Sequence, residues 1–360
     1  MKLRISINAK RIEGPYGGGN QVANALERYL RSRGHEVFRE TVPNLDVILI
    51  LSAQAELYIT SYDVQAIADY LMSDANTIVV QRVNTCDEQR GANSGINRAV
   101  LQANRLADYT VFVSSFVKEL YQKHGFDATK PHCVILNGAD EDIFNSSGRA
   151  EWQNGQKLRI VTHHWSTNYM KGFDIYERLD QLMGKAPYKD VFEFTYIGNI
   201  PVGVEFQNSR LIPPLYGIKL AQALKQHHFY VTAARHEPGG NHPIEAMRCG
   251  LPVLYLRSGS LPEYCSPYGI EFTLVDFEKR LFEMRERYPE FRQNVLQCSY
   301  TGSGMASQYE ALFKRLVAER RANPRARPSL KKALWYAARS SFRKGRRYAK
   351  RAVREIALLR

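Results

Sequence analysis

Short apolar runs alternate along the chain with stretches whose apolar residues recur at helical spacing. The first run, Leu3-Arg4-Ile5-Ser6-Ile7, predicts a strand over 3–8. A glycine loop follows, then a helix over 20–33 with Val22, Leu26, Tyr29 and Leu30 on one face. Gly34 stops that helix, and a strand resumes near Val37. Further runs predict strands at 47–51, 77–80, 110–113 and 133–136. A second series begins at 158–162 and continues at 192–197, 229–231 and 252–256, with helices between. Such alternation belongs to an α/β protein with parallel sheets. The polar stretch 145–154, containing Ser146, Ser147 and Gly148, marks a boundary, which gives one unit over 1–150 and another over 151–320. Both read as doubly wound, Rossmann-like domains. Such sheets bind ligands at the carboxyl ends of their strands, so the site is expected in a cleft between them.

Beyond 320 the pattern changes. Pro324 and Pro328 interrupt the chain, and a helical stretch is predicted from about Ser329. Leu334, Trp335, Ala338, Phe342, Ala349, Val353 and Ile356 fall on one arc, with Arg339, Arg343, Arg346, Arg347, Lys350, Arg351 and Arg354 opposite. The net charge of +14 resides here: residues 320–360 hold 15 Lys and Arg against Glu355 alone, while residues 1–319 balance at 35 of each sign. A basic amphipathic helix suits an anionic membrane surface, apolar face down; packing of the helix back on its own domain is the other reading. A nucleic-acid binder would also use a basic tail, but the neutral body and the lack of aromatics within the basic arc argue against it.

Composition narrows the class. With 44% hydrophobic and 24% charged residues the chain is an ordinary globular protein, and no run nears the roughly 18 apolar residues of a spanning helix. The chain opens on a strand-like run without a signal-peptide core. Five widely spaced cysteines, with no Cys-x-x-Cys pair, predict free thiols in a reducing compartment rather than disulfides or a zinc site. The expected location is cytoplasmic, peripheral on the inner face of the cell membrane.

The candidate chemistry concentrates in Glu237-Pro-Gly-Gly-Asn-His-Pro-Ile-Glu245, followed by Ala246-Met247-Arg248-Cys249-Gly250-Leu251-Pro252-Val253. This reads as a strand ending near Ala233, a glycine loop, and a helix starting near Pro243. Gly239 and Gly240 permit close approach of a ligand to the backbone, and the helix N-terminus offers free N–H groups. Two glutamates eight positions apart bracket the loop. Carboxylates so placed accept well from vicinal sugar hydroxyls; a capping carboxylate plus a surface carboxylate is the plainer alternative.

These residues resemble glycosyltransferase family 4, whose Glu-x7-Glu element runs into Glu-Ala-Met-x-x-Gly-x-Pro-Val. The resemblance implies a GT-B fold and retaining transfer from a nucleotide sugar. It implies further that Glu237 lies against the donor sugar beside Gly239, Gly240, Asn241 and His242, while Glu245 holds the ribose hydroxyls. One departure is Pro243, which stands six rather than five residues after the first glutamate. Gly17-Gly18 ahead of a helix ending at Arg33-Gly34-His35 resembles the family's N-terminal glycine loop, with Gly18 and Gly19 open to donor phosphates or acceptor. Asn137-Gly138-Ala139-Asp140 followed by Phe144 resembles the segment closing the first domain. Asp140-x-Asp142 also spells the metal motif of the other glycosyltransferase architecture, but its place as an interdomain turn in an architecture that needs no metal sets that reading aside.

Lys171, ahead of Gly172, is by resemblance the cation on the donor pyrophosphate. The family's arginine five residues earlier is here Ser166, so either Lys171 works with helix-terminus N–H groups alone, or Arg235 or another cation substitutes. His163 and His164 stand beside the same loop, as a structural pair or as part of the site. In the first domain the stretch Gln81 to Arg90 follows a strand where the family faces its acceptor, so Arg82, Asn84 and Asp87 are acceptor-side candidates; a solvated loop with local ion pairs is equally compatible. The function implied is transfer of a hexose-type sugar from a UDP- or GDP-linked donor to a glycan or lipid-linked acceptor, without a cofactor or metal. A catalytically silent member of the fold is the alternative that Ser166 leaves open.

Overall fold

A computed structural model describes residues 1–12, 14, 18–53 and 59–325. The basic tail from residue 326 on, with its expected amphipathic helix, lies outside the described residues, as does Gly17.

The first sheet comprises β1 (Arg4–Ile7), β2 (Glu36–Phe38), β3 (Val47–Ile50), β4 (Ile78–Val83), β5 (Tyr109–Phe112) and β6 (His132–Val134). The second comprises β7 (Leu158–His164), β8 (Phe192–Gly198), β9 (Arg210–Ile212), β10 (Phe229–Thr232), β11 (Val253–Leu256) and β12 (Gly269–Phe272). Their strand orders are β2-β1-β3-β4-β5-β6 and β12-β11-β10-β7-β8-β9. Among the described residues the strands of both sheets pair in parallel, as in Val47↔Ile78 of the first sheet and Leu158↔Phe192 of the second. Strand order reverses beside β1 in one sheet and beside β7 in the other, and at such points crevices open at the strands' carboxyl ends.

Helices α1 (Gly18–Ser32), α2 (Val64–Ser73), α3 (Ile96–Asn104) and α4 (Ser115–Lys123) accompany the first sheet. The second is accompanied by α5 (Phe173–Met183), α6 (Tyr188–Val191), α7 (Gly217–Leu224), α8 (Asn241–Arg248), α9 (Leu261–Cys265), α10 (Phe277–Glu286) and α11 (Tyr288–Val295). Helices on both faces explain why Val47-Ile48-Leu49-Ile50 is apolar at every position and wholly buried. Caps set the helix starts: Asp63, Ser114 and Thr301 accept from the N–H groups of Ala66, Val117 and Gly304.

Two strands escape the hydrophobic pattern. β9 is a three-residue edge strand with no fully buried position, and β12, Gly-Ile-Glu-Phe, lies at the opposite edge. Two others run past their apolar runs. β4 continues through Gln81 and Arg82, and β7 through His163 and His164, so polar side chains stand at the carboxyl ends of central strands.

The last helix, α12 (Gly302–Ala322), follows the second domain in sequence but packs into the first. Met305, Ala306, Tyr309, Phe313, Leu316 and Val317 share a core with Leu3, Ile5, Val22 and Leu26. Where chain order puts 302–320 with the second unit, packing puts it with the first. The domains also join at the β5–α4 junction. Ser114 Oγ donates to Pro238 O at 2.5 Å, and Tyr264 OH donates to Val113 O at 2.6 Å. Glu263 accepts from the backbone N of Ser115 at 2.8 Å and from its hydroxyl at 2.9 Å. All five cysteines are free thiols. Among the described residues no helix is long and apolar enough to cross a membrane.

Candidate active site

A cavity of about 500 Å³ lies between the domains at the carboxyl ends of both sheets, a size suited to a small-molecule ligand. Lys171, Glu237, Glu245, Gly239, Gly240, Asn241, His242, Ser166, Gly19, Arg82 and Asn84 all line it. Gly18 begins α1 next to Gly19. Gly19 and Lys171, far apart in sequence and on different domains, are thus brought to one space only by the closing of the two sheets on each other.

Glu237 sits at the centre. Its Oε2 accepts from Lys171 Nζ at 2.5 Å and its Oε1 from Gln89 Nε2 at 3.1 Å, so one carboxylate joins second-domain and first-domain loops. The residue before it, His236, has φ +49, a left-handed conformation that is uncommon for a side-chain-bearing residue. Its N–H is held by Ser258 Oγ at 3.0 Å. Backbone strain of this kind concentrates at functional sites; here it aims Glu237 into the cleft. Gly239 meets the first domain closely: a Cβ at this position would stand 2.8 Å from Val113 Cγ2.

Glu245, on α8, is buried and its Oε2 lies 2.9 Å from His163 Nε2. The remaining histidines form a polar layer beneath the cavity. His164 Nε2 pairs with Tyr176 OH at 2.7 Å, and His242 Nε2 with Thr232 Oγ1 at 2.9 Å. Burial drives the pKa of both well below the usual histidine value, with Lys171 adding to the effect, so both rings are neutral at ordinary pH. His163 Nδ1 is buried and without a hydrogen-bond partner among the described atoms.

On the first-domain side Arg82 is only 3% exposed, and its Nη2 donates to Asn137 Oδ1 at 2.8 Å. Burial lowers its pKa, opposed by the neighbouring hydroxyls of Tyr309 and Tyr264. Asn137 is a crosspiece: its Nδ2 donates to Gly239 O at 2.6 Å and to Asn241 Oδ1 at 3.1 Å. Asp87 departs from the acceptor-side expectation. It does not line the cavity; its carboxylate accepts from Ser94 N, Ser94 Oγ, Ile96 N and Asn97 N, fixing the entry to α3. Asp140 is likewise spent locally, on Arg28 Nη2 at 2.8 Å and on the N–H of Asp142.

Arg235 is not free to replace the cation missing at Ser166. Its guanidinium makes two parallel bonds to Asp174, at 2.8 and 2.6 Å, and it does not line the cavity. Ser166 Oγ accepts from Asn168 N at 3.1 Å and shapes the turn before Lys171. Gln89, Arg90 and Asn137, which the sequence did not single out as site residues, line the cavity, and so does His163, which the sequence left between a structural and a site role. Gln89 and Arg90 lie in the same polar stretch as Arg82, and their spacing on an irregular turn gave no periodic signal to separate them from it.

No protein-family model matches the chain, and no curated protein sequence matches it. Solved structures do. The chain is similar to sucrose-phosphate synthase from Thermosynechococcus elongatus, at 15% identity and TM-score 0.65, over 88% of this chain and 100% of that one. It is similar to Anabaena HepE in complex with UDP and glucose, at 13% identity and TM-score 0.60, over 90% and 100%. It is also similar to WaaG, a glycosyltransferase involved in lipopolysaccharide biosynthesis, at 12% identity and TM-score 0.62, over 86% and 99%. At these identities the likeness shows the fold. The chain has the GT-B architecture of glycosyltransferases, two Rossmann-like domains facing a cleft.

Proposed function

We propose that this protein is a retaining glycosyltransferase of the group 1 type, similar to family 4. It takes a hexose-type sugar from a UDP- or GDP-linked donor and passes it to a glycan or lipid-linked acceptor of an envelope polysaccharide or glycolipid. The observation that carries this reading is the joining of Glu237, Lys171 and Gln89 across the cleft, with Glu245 in the same cavity. Glu237 would accept from donor-sugar hydroxyls, Lys171 would meet the pyrophosphate, and Glu245, oriented by His163, would accept from the ribose. Arg82 and Asn84 would stand on the acceptor side.

The reaction needs no cofactor or metal on this reading. The bond from the anomeric carbon to the phosphate oxygen breaks, and the acceptor oxygen bonds to that carbon on the same face. The acceptor's proton passes to the departing phosphate. Fixed cations and N–H groups stabilise the charge growing on the leaving group. Both oxygens of Glu237 are already engaged by Lys171 and Gln89, which supports a binding role for it over one as a covalent nucleophile.

The partner expected for the tail is an anionic membrane surface. The end of α12 supports this arrangement: Arg320 Nη2 donates to Asp108 Oδ1 at 3.1 Å and Arg321 Nη2 to Asp46 Oδ1 at 2.8 Å. Both aspartates precede strands of the first sheet, so the chain leaves the body at the pole opposite the cleft. A membrane bound there would leave the cavity open. The reading is tested by thermal shifts with nucleoside diphosphates and nucleotide sugars, since ligands that bind only the folded state raise its apparent stability. Lys171→Ala should then lower transfer far more than Lys185→Ala, an exposed lysine outside the cavity. Equal activity in the two variants would remove Lys171 from the site.

A further inference from the structure

We propose that Arg90, carried by the first domain, supplies the second positive charge to the donor's diphosphate when the cleft is closed. The inference rests on the transferase reading above. A nucleoside diphosphate brings at least two negative charges into a cavity that already holds the carboxylates of Glu237 and Glu245. Lys171 is the expected phosphate cation, but it shares its charge with Glu237 at 2.5 Å. His164 and His242 are neutral for the reason given above. Arg235 is committed to Asp174.

Two lining cations remain. Arg82 is buried and tied to Asn137, and its Nε and Nη1 are covered from the cavity's solvent. Arg90 is different: it is exposed, it lines the same cavity, and among the described residues no carboxylate forms an ion pair with it. A guanidinium also suits the task, since its planar fork matches phosphate oxygens in pairs.

The fold holds Arg90 over the loop that carries Lys171. It ends the turn Glu88–Arg90, which lies against the turn Tyr169–Lys171 of the other domain. On one side Gln89 Nε2 donates to Glu237 Oε1 at 3.1 Å. Arg90's own carbonyl accepts from Asn168 Nδ2 at 3.2 Å. On the other side Gly91, at φ +66, lets the chain turn away, and a Cβ there would come 3.0 Å from Met170 Cγ. Both residues flanking Arg90 therefore stand against the second domain, Gln89 bonded to Glu237 and Gly91 beside Met170 of the Lys171 loop. A cation delivered from the opposite domain makes neutralisation of the leaving group complete only when the turns dock, which couples closure to chemistry.

The test uses the full chain, calorimetric titration, and UDP, GDP and ADP with their monophosphates. The wild type should bind at least one diphosphate more tightly than its monophosphate. Arg90→Ala should lose about tenfold or more of that diphosphate affinity, the scale of one charge-assisted hydrogen bond, while keeping its monophosphate affinity. Arg90→Lys should recover part of the loss. The unliganded melting temperature should not move, because the side chain is exposed. An undiminished diphosphate preference in Arg90→Ala would overturn the assignment of Arg90, and so would an equal loss for mono- and diphosphate. A wild type that binds none of the diphosphates would overturn the transferase reading and this inference with it.

Discussion

His163 and Glu245 are 82 positions apart and share a buried hydrogen bond of 2.9 Å at the floor of the cavity. A carboxylate held this way keeps one oxygen for a ligand while the other fixes its direction. The two glutamates of the loop are therefore expected to fail differently. Glu245→Ala should weaken nucleoside diphosphate binding by about tenfold or more, the cost of hydrogen bonds to a charged group being roughly 1.5–3 kcal/mol. Glu237→Ala should leave that binding nearly intact and impair transfer. Titration calorimetry beside a transfer assay separates the two, and identical behaviour in both measurements would reverse the assignment. Of this constellation the glutamates were legible because glycines and a helix start surround them. His163 was not, because a histidine at a strand's end reads the same whether it meets a core hydroxyl or a carboxylate; its partner lies on an element folded against it from elsewhere.

At the scale of elements, α12 clamps the first domain from outside its own segment of sequence. Its Glu310 is buried among Lys314 Nζ at 2.5 Å, His35 Nε2 at 3.1 Å and Tyr29 OH at 3.3 Å. His35 Nδ1 accepts from Leu3 N, so its Nε2 carries the proton offered to Glu310. Burial by itself would raise the carboxyl's pKa, but the bonds from Lys314 and His35 prevail and lower it to about 2. A depressed pKa contributes stability that is present above the ordinary carboxylate value of 4.5 and is lost as pH falls through about 2. Glu310→Gln should thus destabilise the fold by about 1.5–3 kcal/mol at pH 7. The gap from wild type should narrow below about pH 4.5. Denaturant unfolding at several pH values checks this, and a pH-independent difference would show that the carboxylate's charge is not what matters there. Chain order groups this helix with the second unit while its buried face joins the first core, because a 21-residue stretch with one buried face does not record against which sheet that face packs.

For the whole molecule, the neutral body and the strongly basic segment after residue 320 predict separable functions. Removing residues 326–360 should abolish sedimentation with anionic liposomes and leave nucleotide binding unchanged, because the cavity is built wholly from residues 19–245. Each basic residue near an anionic surface contributes about 1 kcal/mol, so raising salt should release the full-length protein. A truncated protein that still sediments would place membrane contact in the body, and one that no longer folds would show the tail to be part of the core.

The alternation of apolar runs with helical stretches determined the α/β class, the two units and most of the twelve strands found among the described residues, since strands buried on both faces must be apolar throughout. The glycine loop and helix start marked Glu237 and Glu245 as candidates, and the resemblance to glycosyltransferase family 4 marked Lys171. Tertiary structure decided the rest. It ran β4 and β7 past their apolar stretches, spent Asp87 on a helix entry and Arg235 on Asp174, and set Arg90 beside the loop that carries Lys171. A polar side chain's role depends on which partner reaches it first. For the residues of this cleft those partners come from the other domain, at separations no local pattern records.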